Sequence, residues 1–385
     1  MKLIKRMLAV ALSVATVLTL SACHPKDEVA VTVTDEKSGI STTLTTAQYI
    51  YAYTNAVLEA NSNIDENNAD EDKEITDYSK YKVIETDEDG KETKTAYEKW
   101  INNRAEELIR NYAASMIKQK ALKIEIDDAT QSSIDSYSAM YWQYYYQPVF
   151  EKNGVGQETY KKMFTASYYE NEYFLSIYDK EGTDPVAEKT VSKTFYDSYC
   201  LADALTISVA EETEDDSAET TESDLPTLSE AKKLLKGYKT RIENGESFAS
   251  IYKEYNEKNS TDEDSSTSES DSATVYGSEE TNSASEYFTE IYKLKKGAVK
   301  ILTSEDESEI ILVQKKDISE DEESYYESYR ESVLHQLKDD EFDKSFEKFA
   351  KSLKLEKNSA TKRVKIKKID VSTETEEDHT GHDHE

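Results

Sequence analysis

The chain has 385 residues, with 80 Asp and Glu against 47 Lys and Arg, for a net charge of −33. An acidic surplus of that size argues against nucleic acid as a partner. Ten glycines leave little room for phosphate-cradling loops, and the length admits two or three domains.

The N-terminus has a recognisable order. Lys2, Lys5 and Arg6 make a positive start, Met7 to Leu20 is apolar, and Leu20, Ser21 and Ala22 lead into Cys23. Residues 1–22 therefore read as a secretory signal with its cleavage site, the apolar part falling short of the roughly 20 residues a spanning helix needs. "LSAC" looks like a bacterial lipobox, in which the Cys23 sulfur takes a diacylglyceryl group and becomes the new N-terminus. Two acyl chains anchor stably where one binds marginally. The competing reading is an ordinary secreted protein with a cysteine there by chance. No second long apolar run follows, so the mature chain is expected to be tethered at the extracytoplasmic face of the cell membrane and not to span it. With Cys23 acylated, Cys200 has no disulfide partner; between Tyr199 and Leu201 it reads as a small core hydrophobe. Residues 23–40 are the anchor and linker, with Val29, Val31 and Val33 alternating as an edge strand.

Further along, residues 45–60 read as a helix and 61–89 as a polar loop or small insertion. Ile101, Ala105, Leu108, Tyr112 and Met116 fall on one face of the best helix in the chain. "DDATQSSIDSY" caps another helix that runs through "YSAMYWQYYYQPVF" and stops near Pro148. Tyr160, Phe164, Tyr168, Leu175 and Tyr178 stripe the next, and a short helix follows Pro185. "LADALTISVA" alternates as a strand with Leu205, Ile207 and Val209 on one face. Two helices meet at Gly245, and the Ser- and acid-rich residues 257–286 read as low complexity without a core. "ESEIILVQKKDI" is a strand, a long amphipathic helix starts near Asp321, and "TKRVKIKKIDV" alternates as a closing strand.

The order of lipobox, aromatic helical segment, βααβ-like insert and long return helix resembles the PrsA/SurA group of extracytoplasmic foldases. The resemblance is carried by "LIRNYAASMIKQKALKIEIDDATQSSIDSY", by "VAEKTVSKTFYDSYCLADALTISV", and by "EAKKLLKGYKTRIENGESFASIYKEYNEKNS" with "EYFTEIYKLKKGAVKILTSEDESEIILVQKKD". It covers about two-thirds of the chain, through the order of its parts more than through any one motif. It implies an α+β protein: a mainly helical, discontinuous chaperone-like domain (41–195 and 320–370) into which a parvulin-like α/β domain (196–319) is inserted, before an acidic tail (371–385). The activity implied is binding of unfolded or newly secreted polypeptides, with no cofactor and with a homodimer among the admissible partners.

Active isomerases of this group carry a histidine in the first strand of the parvulin-like domain and another in the last. By register those positions fall at Thr206 and Glu309 here, and the family's Gly-Gly-Asp-Leu-Gly stretch is replaced by "NSTDEDSSTSESDSATVYGSEETNSAS". Rotating a prolyl bond means lowering a barrier of about 18–20 kcal/mol, which takes a dry pocket and aimed hydrogen bonds. The expectation is a parvulin-like shape without catalysis; an active prolyl isomerase is the first alternative. Tyr137, Tyr141, Tyr144, Tyr145 and Phe150 are the candidate client-binding aromatics; any one of them taken singly reads first as core, and the client-binding reading concerns the cleft as a whole. In the tail, His379, His382 and His384 beside carboxylates suit weak metal binding, which keeps a surface scaffold or metal-binding lipoprotein as the second alternative. His335 reads as a helix-surface residue.

Overall fold

Valine and threonine alternate over Val29–Thr34 (β1), which pairs antiparallel with Ser41–Thr45 (β2) across a turn where Gly39 takes φ +73°. These elements come from a computed structural model, which describes residues 26–68, 75–87, 90–210, 225–259, 272–281 and 283–372. Thr45 ends β2 and caps the next helix, α1 (Thr46–Asn67). Its hydroxyl accepts from Gln48 N at 3.3 Å, while Gln48 Oε1 accepts from Thr45 N at 3.0 Å. Ala52, Ala56 and Ala60 give α1 a flat buried face against α2 (Tyr97–Leu122), which presents Ile101, Ala105 and Ile109. The buried row of α2 continues through Ala113 and Ile117. Leu108, Tyr112 and Met116, expected on that face, are half-buried at its side.

The polar stretch expected as a loop or a small insertion carries ordered elements. Helix α1 runs on to Asn67, and a hairpin of Lys82–Thr86 (β3) and Glu92–Ala96 (β4) comes after it. Asn63 explains the polarity: its side chain donates to Ile84 O at 2.8 Å and accepts from Ile84 N at 2.9 Å, so a helix side chain completes a strand edge.

Helix α3 (Asp128–Tyr141) starts at Asp127, whose carboxylate accepts from Thr130 N at 2.7 Å. It passes into a π-helical turn (Trp142–Tyr146), then α4 (Gln147–Lys152) and α5 (Gln157–Tyr178). Pro148, expected to stop a helix, sits instead in the first turn of α4, where its missing N–H leaves no orphan.

The chain divides into two compact units, one of residues up to Ser176 together with those from Glu341 onward, the other Ile177–Asp340. In the second unit α6 (Glu188–Ser198) leads into β5 (Tyr199–Ser208). Then come α7 (Leu228–Glu243), α8 (Phe248–Asn259), β6 (Ala273–Gly277), α9 (Phe288–Tyr292), β7 (Val299–Thr303), β8 (Glu309–Lys315) and α10 (Glu322–Ser352), whose residues from Glu341 onward belong to the first unit. The strands form one antiparallel sheet in the order β6-β5-β8-β7. Period-two alternation gives each face its own core. Leu205, Ile207, Val209, Ile310 and Leu312 pack under α7 and α8, while Cys200, Ala202, Ala204, Ile311 and Val313 pack with Tyr276, Tyr287 and Ile291. Strand β6 corrects the low-complexity reading of 257–286. Within that run Ala273–Gly277 pairs with β5 and buries Tyr276, because an edge strand needs backbone partners and one apolar anchor more than a hydrophobic sequence.

Arg330 of α10 is buried in this unit. Its Nε donates to Asp179 Oδ1 at 2.9 Å, and its Nη1 donates to Glu188 Oε2 at 2.8 Å and to the Tyr326 hydroxyl at 3.0 Å.

Helix α10 ends at Ser352, and Lys354–Lys357 (β9) pairs antiparallel with β1 to give the sheet order β2-β1-β9. Strand β1 is therefore central, not an edge. The strand that closes this sheet is β9, and the stretch after it, expected as a closing strand, folds as 3₁₀ turns at Ser359–Arg363 and Ile366–Lys368. No helix among the described residues is long and apolar enough to cross a membrane.

Candidate functional site

A π turn interrupts the helix in the middle of the Trp- and Tyr-rich run. Pro148 has no N–H to give to the carbonyl four residues back, and the Gln147 N–H donates to Trp142 O, five residues back. The wider ring shifts the helical phase of the residues beyond it. Tyr137, Tyr141, Tyr144 and Tyr145, spaced i, i+4, i+7 and i+8, all face solvent, with Tyr144 70% and Tyr145 67% exposed. Met140 joins them, while beyond the shift Val149 and Phe150 turn inward and Phe150 is fully buried. The structure thus brings four of the five candidate aromatics onto one surface and puts the fifth in the core beneath it.

That core is aromatic too, and it fixes the surface. Phe150 stacks on Tyr51 at 4.9 Å between ring centroids, Trp142 lies 5.7 Å from Tyr160, and Tyr146 lies 5.0 Å from Tyr160. Burial pushes the Tyr51 hydroxyl up to about 12, and burial, followed by the neighbouring tyrosines, raises that of Tyr160 as well. Both stay protonated, so the layer is neutral. Tyr141 then reaches Phe164 of α5 at 6.1 Å, and Phe164 reaches Tyr168 at 5.6 Å. Tyr137, Tyr141, Phe164 and Tyr168 line an open groove of about 420 Å³ between α3 and α5, rimmed by Ser167 and Asn171. A salt bridge from Lys161 to Asp135 at 2.7 Å also joins the two helices. Such a surface offers ring faces and edges to an apolar or aromatic side chain and hydroxyls to a peptide backbone, without selecting a sequence. Phe164 and Tyr168 were visible as a stripe in the sequence; that they border the same groove as Tyr137 and Tyr141 depends on how α3 and α5 pack.

The second candidate lies on the β5–β8 sheet. Thr206 pairs with Ile311 and Ser208 with Glu309, so Thr206 and Glu309 are diagonal neighbours on the face that carries Cys200. Thr206 is exposed. Glu309 is half-buried and accepts from the Tyr287 hydroxyl at 2.8 Å. Burial raises the Tyr287 pKa and the bond to the Glu309 carboxylate raises it further, so this hydroxyl remains a committed donor. Cys200 is buried in the core of that face; burial pushes its thiol up, against the opposing pull of Lys315. Two distant sequence positions therefore meet, with a hydroxyl and an engaged carboxylate where two imidazoles were sought.

Cys23, His379, His382 and His384 lie outside the described residues. His335 is half-exposed on α10, with Nδ1 at 2.6 Å from Asp339 Oδ1. Among the described residues no cluster of three or more His, Cys, Asp or Glu side chains could hold a metal ion.

The chain is similar to two solved foldase structures. One is the foldase protein PrsA from Streptococcus pneumoniae, with 20% identity over 68% of this chain and 89% of that one and a TM-score of 0.38. The other is PrsA from Bacillus subtilis, with 16% identity over 69% and 90% and a TM-score of 0.32. No family model and no curated protein matches the chain.

Proposed function

We propose that this protein is a membrane-tethered, extracytoplasmic chaperone that holds unfolded exported polypeptides and does not isomerise their prolyl bonds. The observation that carries the reading is the exposed tyrosine face of α3 and the π turn, seated on a buried aromatic layer and bordering a groove. Large aromatics exposed together are uncommon on a surface that binds nothing, and their contiguity marks a site for apolar chain segments. Holding needs many weak, sequence-tolerant contacts. Tyrosines supply them with little side-chain entropy to lose. The acidic surplus supports the same role, since like charge keeps a protein that exposes apolar surface from associating with itself.

Thr206 and Glu309 support the absence of catalysis. Neither offers an imidazole, and Glu309 is engaged by Tyr287 rather than aimed at a twisted amide. The tether rests on the lipobox ending at Cys23. The test is suppression of aggregation: the mature chain is mixed in equimolar amount with a denatured client and light scattering is followed. A delayed and lowered scattering curve is expected; an unchanged curve ends the chaperone reading.

A further inference from the structure

The first unit contains a pocket of about 300 Å³ whose character is opposite to that of the chain as a whole. Ile50, Val364 and Ile369 give it an apolar floor, and its rim carries Lys26, Lys152, Arg363, Lys365 and Lys368. The sequence explains the concentration: between Lys354 and Lys368 the only carboxylate is Glu356, in a chain whose net charge is −33.

Some of these cations are already engaged. Arg363 pairs with Glu28, and Lys152 Nζ donates to Ser372 O at 2.9 Å. Lys26, Lys365 and Lys368 have no carboxylate partner among the described residues. Lys26 lies across Gly154, where a Cβ would collide with its Nζ, so the glycine lets that ammonium reach the rim. Thr46 also lines the pocket, which places it at the positive end of the α1 dipole, and no acidic residue occupies the first turn of that helix. The first N–H groups there are spent: Thr46 N donates to Glu28 O and Ala47 N to Lys26 O. The helix therefore contributes a field, and the lysines contribute the hydrogen bonds.

We propose that this pocket binds the phosphate of an anionic phospholipid headgroup and so sets how the chain stands on the membrane. The assignment of the source rests on the reading of Cys23 as the anchor. Lys26 is three residues from Cys23, a reach of roughly 10 Å, so an acylated Cys23 holds the rim at headgroup depth. Cations around an apolar floor suit a phosphate on a glycerol stem, and lysines near an anionic leaflet each strengthen attachment.

The experiment uses the acyl-free mature chain from residue 24, which retains every described residue. It is sedimented with phosphatidylglycerol/phosphatidylcholine vesicles and with phosphatidylcholine alone, and titrated separately with inorganic phosphate. Binding is expected to the mixed vesicles only, against the general repulsion of so acidic a chain, and to fall on adding salt. The double variant Lys365→Ala/Lys368→Ala should weaken it about thirtyfold. The double variant Lys344→Ala/Lys348→Ala, which removes the same charge from the exposed side of α10, should leave it unchanged, and far-UV circular dichroism checks that both fold.

Equal loss in the two variants would overturn the pocket as the site. Saturation by inorganic phosphate without vesicle binding would leave a free-anion site and overturn the membrane assignment. Absence of both overturns the proposal entirely and says nothing of Cys23, whose acylation is read independently from the mass of the mature protein.

Discussion

Replacing Tyr144 and Tyr145 together by serine tests the client face against the buried Phe150. A tyrosine presents on the order of 150–250 Å². At 70% and 67% exposure the pair leaves roughly 250 Å² open to a client. A client strand that covers half of it removes about 125 Å² from water, a gross gain of about 3 kcal/mol at about 25 cal/mol per Å². Ordering the client consumes part of this, so the expected loss on substitution is about 1–2 kcal/mol, near tenfold in Kd. Stability should move by less than about 0.5 kcal/mol, as for other exposed sites. Phe150→Ala, five residues away, should do the reverse. It empties a site with no exposure, stacked on Tyr51, and costs about 3–5 kcal/mol. The assay is fluorescence anisotropy of a labelled, permanently unfolded polypeptide, with urea unfolding in parallel. An unchanged Kd for the double serine variant would refute the assignment of the face, and a stability loss approaching that of Phe150→Ala would refute its exposure.

The second unit gives three further expected outcomes. A proline-peptide assay should return the uncatalysed rate, relaxing over tens of seconds to minutes; a catalysed rate would show that the Thr206–Glu309 face works without imidazoles. Native protein should react with a thiol reagent at Cys200 orders of magnitude more slowly than unfolded protein, because the thiol is buried and its pKa raised; comparable rates would contradict that burial. Arg330→Met should destabilise by about 2 kcal/mol, less than the 3–5 of a fully buried pair, because Asp179 and Glu188 are half-exposed and can rehydrate. Burial pushes the Asp179 carboxyl up, but the hydrogen bond from Arg330, the Lys180 backbone N–H and the charges of both residues together leave the pKa lowered. Its contribution is therefore present above the unfolded value near 3.9 and lost as pH falls through the folded value. The urea-unfolding difference between wild type and Arg330→Met should hold from pH 7 to pH 5 and shrink below about pH 4; a constant difference down to pH 2 would contradict it.

The α+β class and most elements were legible because their signals are local. Leu205, Ile207 and Val209 alternate, and that alternation is the face that packs under α7 and α8. Gly245, expected at a turn between two helices, takes φ +99° there. What escaped depended on partners distant in sequence. Strand β6 hides in a Ser- and acid-rich run because β5 supplies its hydrogen bonds. The run from Thr361 alternates like a strand and is not one; the strand that pairs with β1 is β9, just before it. The tyrosine run has helical spacing whichever way it faces. Phe150 lies about two and a half helical turns from Tyr141, so the spacing already set it opposite the outward rings; which of the two faces meets water depends on how the helices pack, and that is not local to the run.

The pairing of β1 with β9 has a kinetic meaning. Val31 sits opposite Lys357, so a ladder near the start of the chain is completed only near its end. Loop-closure entropy grows slowly with length, and so large a separation costs little extra stability; it does impose an order of events. A chain that emerges N-terminus first presents β1 with one edge unpaired until Lys354–Lys357 arrives, whereas every strand partner within Ile177–Asp340 is already available. The insert can mature while its host waits. A protein proposed to shelter unfinished chains is thus, for most of its own synthesis, an unfinished chain with an exposed strand edge.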